Sequence, residues 1–328
     1  MRPPAFWSNP PSSPGLAAHL LAPLGWLYAA ETARRVAQPG YRAAIPVICI
    51  GNLNVGGTGK TPTAVALIER LTARGRKVAV VSRGYGGTVK GPLQVVESRH
   101  KAAEVGDEPL LLSAFAPTFV AADRAAAVRM AEASGAEVVL LDDGFQNPSV
   151  VKDLSLVVVD AAMGFGNAYC LPAGPLREPI AAGLARANLI LAIGNAAAQT
   201  SFRTSWPNLP KPVLQGELFP LKMGMDWQAA KVIAFAGIGN PAKFFATLRG
   251  EGAEIIREVP LDDHQPLSTA LMDRLQREAR AKGAQLVTTE KDAVRLPKSF
   301  RTKVLTLVVR LHLQDWTPLD AALKTLNL

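Results

Sequence analysis

Cysteine is almost missing from this chain, with two in 328 residues, Cys49 and Cys170. Neither sits in a C-x-x-C pair or near a histidine cluster. That argues against a structural zinc or a disulfide framework and for a reducing compartment. Aromatic residues are scarce, at 6%, and the Lys and Arg residues form no block. The formal net charge of +9 still calls for an anionic partner, such as a phosphorylated substrate or a phospholipid surface. Nucleic acid is not expected to be that partner. Long apolar runs are lacking too. The N-terminal stretch from Leu16 to Ala30 falls short of the ~20 residues that a bilayer-spanning helix needs. No convincing A-x-A-like site follows it, which speaks against a cleaved signal peptide. Low-complexity tracts and internal repeats are absent.

What the chain does have is a core: 48% of its residues are hydrophobic. Apolar strand candidates alternate with helical patterns: "IPVICIG" and "KVAVVS" read as strands, and "AEVVLLDD", "LSLVVVD" and "ANLILAIGN" as strands buried on both faces. This alternation predicts an α/β fold, a doubly wound and mostly parallel sheet with ligands at the carboxyl ends of its strands. The expected division is a helical segment over 1–42, a nucleotide-binding domain over 43–200, a Pro-rich linker or crossover over 201–230 and a smaller α/β lobe over 231–328. In the first segment the apolar run is followed by Arg34, Arg35 and Arg42. It reads either as a helix lying in a membrane interface, with Trp26 and Tyr28 at headgroup level, or as a helix packed on the protein. The arginines that follow the run directly favour the membrane.

The stretch "GNLNVGGTGKTP", Gly51 to Pro62, follows a strand and opens a helix. That is the setting of a phosphate loop, G-x-x-x-x-G-K-[ST], except that Asn54 stands where the first glycine belongs. Gly56, Gly57, Thr58 and Gly59 would wrap backbone N–H groups around phosphate oxygens, with the helix N-terminus adding its partial charge. Lys60 would reach the β/γ-phosphates of ATP, and the Thr61 hydroxyl would hold Mg²⁺. The buried strand "EVVLLDD" ends in Asp142 and Asp143, where a phosphate-loop enzyme keeps its magnesium; a cap or turn at Gly144 is the other reading. Arg83, in "SRGYGG", either clamps phosphate or is a surface arginine. "LPAGPLREP" puts Arg177 and Glu178 in a proline-framed loop, either functional or a salt-bridged turn. Asp107, in "VGDEP", sits where a helix cap is ordinary. His264, in "DDHQP", stands beside two acids, Asp262 and Asp263, and could serve as or assist a general base. "TTEKD", from Thr288, loosely echoes a base-reading loop or starts a helix.

Taken in order, "GNLNVGGTGKTP", "SRGYGG", "VGDEP", "LDDGFQ", "LPAGPLREP", "AFAGIGNP", "DHQP" and "TTEKD" resemble the tetraacyldisaccharide 4'-kinases, the lipid A 4'-kinases, over nearly the whole chain. Asn54 belongs to that family's pattern. The resemblance implies transfer of phosphate from ATP to the 4'-hydroxyl of a tetraacyldisaccharide 1-phosphate at the cytoplasmic face of the bacterial inner membrane. It implies Lys60, Asn54, Arg177 and, less directly, Arg83 at the nucleotide. Thr61, Asp142, Asp143 and Glu178 would serve magnesium, and Asp107 would act as base assisted by His264. The N-terminal segment would meet the anionic membrane and the acyl chains, and no obligate protein partner is evident. The chain departs from the family pattern after "DDGFQ", where Asn147 replaces a histidine. A membrane-associated switch ATPase of the partition or targeting type is the alternative reading of the same loop.

Overall fold

The computed structural model describes residues 4–328, so the first three residues of the 1–42 segment lie outside it. Nine strands build the larger sheet. They are β1 (Val47–Gly51), β2 (Val78–Ser82), β3 (Leu93–Gln94), β4 (Thr118–Val120), β5 (Val138–Asp142), β6 (Leu154–Asp160), β7 (Leu189–Ile193), β8 (Val213–Pro220) and, after a second lobe, β13 (Val309–Leu313). Their spatial order is β13-β8-β7-β6-β1-β5-β2-β4-β3. Only β13 against β8 and β3 against β4 run antiparallel. Strands β1, β2, β5, β6 and β7 are buried along their whole length, as their unbroken Val/Ile/Leu runs require when helices cover both faces. The strand order reverses around β1, which opens a crevice at its carboxyl end, where the glycine loop follows. The smaller lobe holds β9 (Lys231–Ala236), β10 (Glu254–Pro260), β11 (Gln285–Thr289) and β12 (Val304–Leu307), all parallel, in the order β10-β9-β11-β12.

Two boundaries differ from the sequence reading. Residues 201–230, expected as a linker or crossover, contain β8, which pairs with β7. The prolines that suggested a linker, Pro207, Pro210 and Pro212, come just before it. The apolar run "KVLTLVVRLHL", which falls in the stretch expected to form the smaller lobe, is split at Val308. Its first half is β12 and its second half, β13, returns to the larger sheet. Leu311, Leu313, Leu319 and Leu323 join the larger lobe's core, so the lobe that begins at Lys231 does not extend to residue 328.

The N-terminal helix, Leu16–Val36, runs beyond the apolar segment. Its small residues, Ala18, Ala22 and Gly25, face the protein, and a Cβ on Gly25 would lie 3.0 Å from the Cys170 carbonyl oxygen. Leu16, Leu20, Leu24, Trp26 and Leu27 point outward. No helix among the described residues is long and apolar enough to cross a membrane. Cys49 and Cys170 are buried free thiols, and burial pushes both up to about 11.

Candidate active site

The loop from Gly51 turns into the helix Lys60–Ala73 at Gly59, whose φ of 97° favours glycine. Asn54 is 8% exposed, and its side-chain amide donates to the Gly164 carbonyl at 3.1 Å. Backbone bonds on either side, Val55 N–H to Pro175 (2.8 Å) and Arg177 N–H to Leu53 (2.7 Å), fasten the loop to the "LPAGPLREP" segment. Gly56 to Thr61 line one wall of a cleft of about 450 Å³ between the lobes, and Asp160, Lys243, His264 and Lys291 line the rest of it.

Asp143 is the charge hub of that wall. Its backbone is held at φ 49°, a region that side chains rarely adopt without a local reason. Arg177 donates to its carboxylate at 3.0 Å, Lys60 lies at 3.6 Å, and Arg124 bonds its carbonyl at 3.0 Å. Burial works to raise the Asp143 carboxyl, but Lys60, Arg177 and Arg124 outweigh it and hold it below the usual range. Asp142, one residue earlier, is buried with no cation bonded to it, its carboxylate meeting the Ser82 hydroxyl at 3.3 Å. Burial first, then the charges of Glu108 and Asp143, push it up to about 7. A buried carboxyl left short of positive charge beside a phosphate loop fits a divalent ion. The neighbouring Thr61 hydroxyl has no hydrogen-bond partner among the described residues. No group of three or more His, Cys, Asp or Glu side chains able to hold a metal occurs among them either. A magnesium that takes most of its oxygens from phosphates and water needs no such cage.

The other wall brings together residues far apart in the chain. His264 Nδ1 lies 3.0 Å from Asp107 Oδ2, and the second Asp107 oxygen accepts the Glu108 N–H at 3.0 Å. Asp107 is 3% exposed, whereas His264 faces the cleft. The hydrogen bond to Asp107 raises His264 above its ordinary value. For Asp107, burial pulls upward, but His264, Lys291 and Arg295 together hold it low. His264 also has a positive φ, 59°, and the edge of Tyr85 packs on its ring with centroids 5.5 Å apart. Between the neighbouring acids, Asp263 stands 3.7 Å from Nε2, and the imidazole's Nδ1 is held by neither of them but by Asp107.

Three expected residues lie apart from this group. Glu178 is buried, bonded to Arg186 and, at 2.9 Å, to Gln146, which in turn touches Arg177 at 3.5 Å. Arg83 is exposed just past β2 and makes no hydrogen bond or ion pair among the described residues. Asn147 accepts the Ser149 N–H at 3.0 Å and closes a turn. Several cleft residues were not singled out from sequence. Lys243 of the smaller lobe bonds Asp160 at 2.5 Å, and Lys291 bonds Glu108 at 3.1 Å. Asp160 did carry a signal, since it ends a buried strand just as Asp142 does; Lys243 carried none. "TTEKD" proves to be a helix start, with the Thr289 hydroxyl accepting the Asp292 N–H at 3.1 Å.

The family model described as LpxK, tetraacyldisaccharide-1-P 4'-kinase, matches residues 17–327. The chain is similar to the tetraacyldisaccharide 4'-kinase of Dinoroseobacter shibae, with 61% identity over 99% of this chain and 98% of that protein. It is also similar to that of Jannaschia sp., with 58% identity over 98% of both. Among solved structures, LpxK from Aquifex aeolicus in complex with ATP superposes with a TM-score of 0.76 at 25% identity, covering 95% of this chain and 99% of that one.

Proposed function

The chain belongs to the tetraacyldisaccharide-1-P 4'-kinase family, and we propose that it moves the γ-phosphoryl group of ATP to the 4'-hydroxyl of a tetraacyldisaccharide 1-phosphate, releasing ADP. One observation carries the reading: a single cleft holds the phosphate loop on one wall and, on the other, His264 backed by buried Asp107. Phosphoryl transfer needs positioned cations and a group that accepts the hydroxyl proton, and little else from a protein.

Backbone N–H groups from Gly56 to Thr61 take the phosphates, helped by the helix N-terminus. Lys60 and Arg177 rest on Asp143 and turn to the phosphate oxygens when ATP enters. Thr61, Asp142 and Asp143 would hold magnesium, whose charge would offset the negative charge that builds on the phosphates. Glu178 acts at one remove, steadying Gln146 beside Arg177. The pair Asp107–His264 receives the proton. His264 is its open member and meets the hydroxyl, while buried Asp107 orients the imidazole and stabilises its charged form. The outward Leu16, Leu20, Leu24, Trp26 and Leu27, followed by Arg34 and Arg35, lie in the interface of an anionic membrane and present the lipid to the cleft. In this reading the enzyme works at the cytoplasmic face of the inner membrane.

The test is incubation with labelled ATP and an acylated disaccharide 1-phosphate, followed by a search for a bis-phosphorylated lipid. Wild type should make it and Lys60→Ala should not. Slow ATP hydrolysis with no phosphorylated lipid, or full product from Lys60→Ala, would refute the assignment.

A further inference from the structure

The segment Thr289-Glu290-Lys291-Asp292 has no part in the scheme above, yet it sets Lys291 directly against the proton-accepting pair. Asp292 pins the segment by accepting the Gly237 N–H at 3.1 Å, and Thr289 caps its helix. The Lys291 ammonium lies 3.1 Å from Glu108, 3.6 Å from Asp263 and 3.5 Å from His264 Nε2. Glu108 belongs to the larger lobe and Asp263 to the smaller one, so one cation ties the two walls of the cleft together.

An ammonium donates hydrogen bonds and accepts none. A ring nitrogen facing it therefore presents its lone pair, and the neutral imidazole keeps its proton on Nδ1, toward Asp107. We propose that Lys291 is a positioning residue for phosphoryl transfer: it fixes this tautomer of His264, leaving Nε2 as the atom that takes the acceptor's proton. This rests on the role given above to Asp107 and His264. In the step, the hydroxyl oxygen forms the new P–O bond and its proton passes to Nε2. ADP leaves with the electron pair of the broken P–O bond. Lys291 stays with Glu108, its nearer partner, while the hydroxyl occupies Nε2.

The groups facing the imidazole are Asp107, Asp263, Lys291 and the Tyr85 ring, with Glu108 and Arg295 behind them. The Asp107 hydrogen bond favours the charged imidazole, whereas burial and then Lys291 oppose it. Removing the lysine thus makes His264 easier to protonate and leaves less of the neutral base at a given pH.

The test is the pH profile of transfer at saturating ATP for wild type, Lys291→Met and Lys291→Arg. Lys291→Met should lose roughly tenfold in kcat near neutral pH, with the KM for ATP unchanged. It should recover as pH rises, because its acid limb is displaced upward. Lys291→Arg keeps the charge and should keep the wild-type limb. An unmoved limb in Lys291→Met, or an equal loss at every pH, overturns the proposal. Full-rate transfer by His264→Gln would overturn the reading beneath it instead, so the two failures are told apart.

Discussion

Replacing Asn54 by glycine restores the usual phosphate-loop pattern and should harm the protein. The Asn54 amide is buried and donates to the Gly164 carbonyl at 3.1 Å, joining the loop to the turn after Asp160. Asn54→Gly leaves that carbonyl without its donor, at a cost of about 1–3 kcal/mol. Glycine adds about 0.5–1 kcal/mol through its freer unfolded chain. The sum is ~1.5–4 kcal/mol, and with an unfolding entropy of about 2.1 cal/mol/K per residue over 328 residues the thermal midpoint should fall by roughly 2–6 °C. Asn54→Asp should fall as far or further, because it turns a carboxylate oxygen toward a carbonyl oxygen in a buried place. The KM for ATP should rise in both variants, since the loop loses its tie to the Asp160–Gly164 turn. Thermal unfolding of the purified proteins, with and without ATP, reads these effects. An Asn54→Gly protein that melts with wild type, or binds ATP more tightly, would refute the argument.

The Asp107–His264 pair should make stability and activity run in opposite directions with pH. His264 is raised above 6.5 in the folded protein, so its stabilisation is complete below 6.5 and fades as pH climbs through the raised value. Over the same window the neutral imidazole appears and transfer speeds up. Comparing wild type with His264→Gln should show the gap in thermal midpoint closing as the gap in rate opens. At fixed ATP, the magnesium needed for half-maximal rate should increase as pH drops through about 7, where buried Asp142 takes up a proton; a metal titration at two pH values reads it. On the outer face of the N-terminal helix, Leu20→Glu with Leu24→Glu should leave the fold intact, because both side chains are exposed. The double variant should lose at least tenfold in partition onto anionic vesicles, measured by sedimentation.

The elements that sequence revealed are those whose signal is local. Unbroken apolar runs mark β1, β5, β6 and β7 because both faces of those strands are covered. The cluster of glycines before Lys60 marks the loop because phosphate demands close backbone approach. The run over 303–313 misled for the same reason: apolar residues announce burial but not which of two sheets buries them. Partnerships across the cleft leave no local trace. Asp107 and His264 are 157 residues apart, and Glu108 and Lys291 are 183 apart. Of the acids next to His264 in sequence, Asp263 reaches only the Nε2 side, at 3.7 Å, while Nδ1 is taken by the distant Asp107 at 3.0 Å. Asn54 shows the converse error, a local rule applied where its physical cause is missing. Glycine is strongly favoured where φ is positive, as at Gly56 and Gly59, and Asn54 is not among the positive-φ residues. Its backbone therefore needs no glycine, and the side chain is free to hold Gly164.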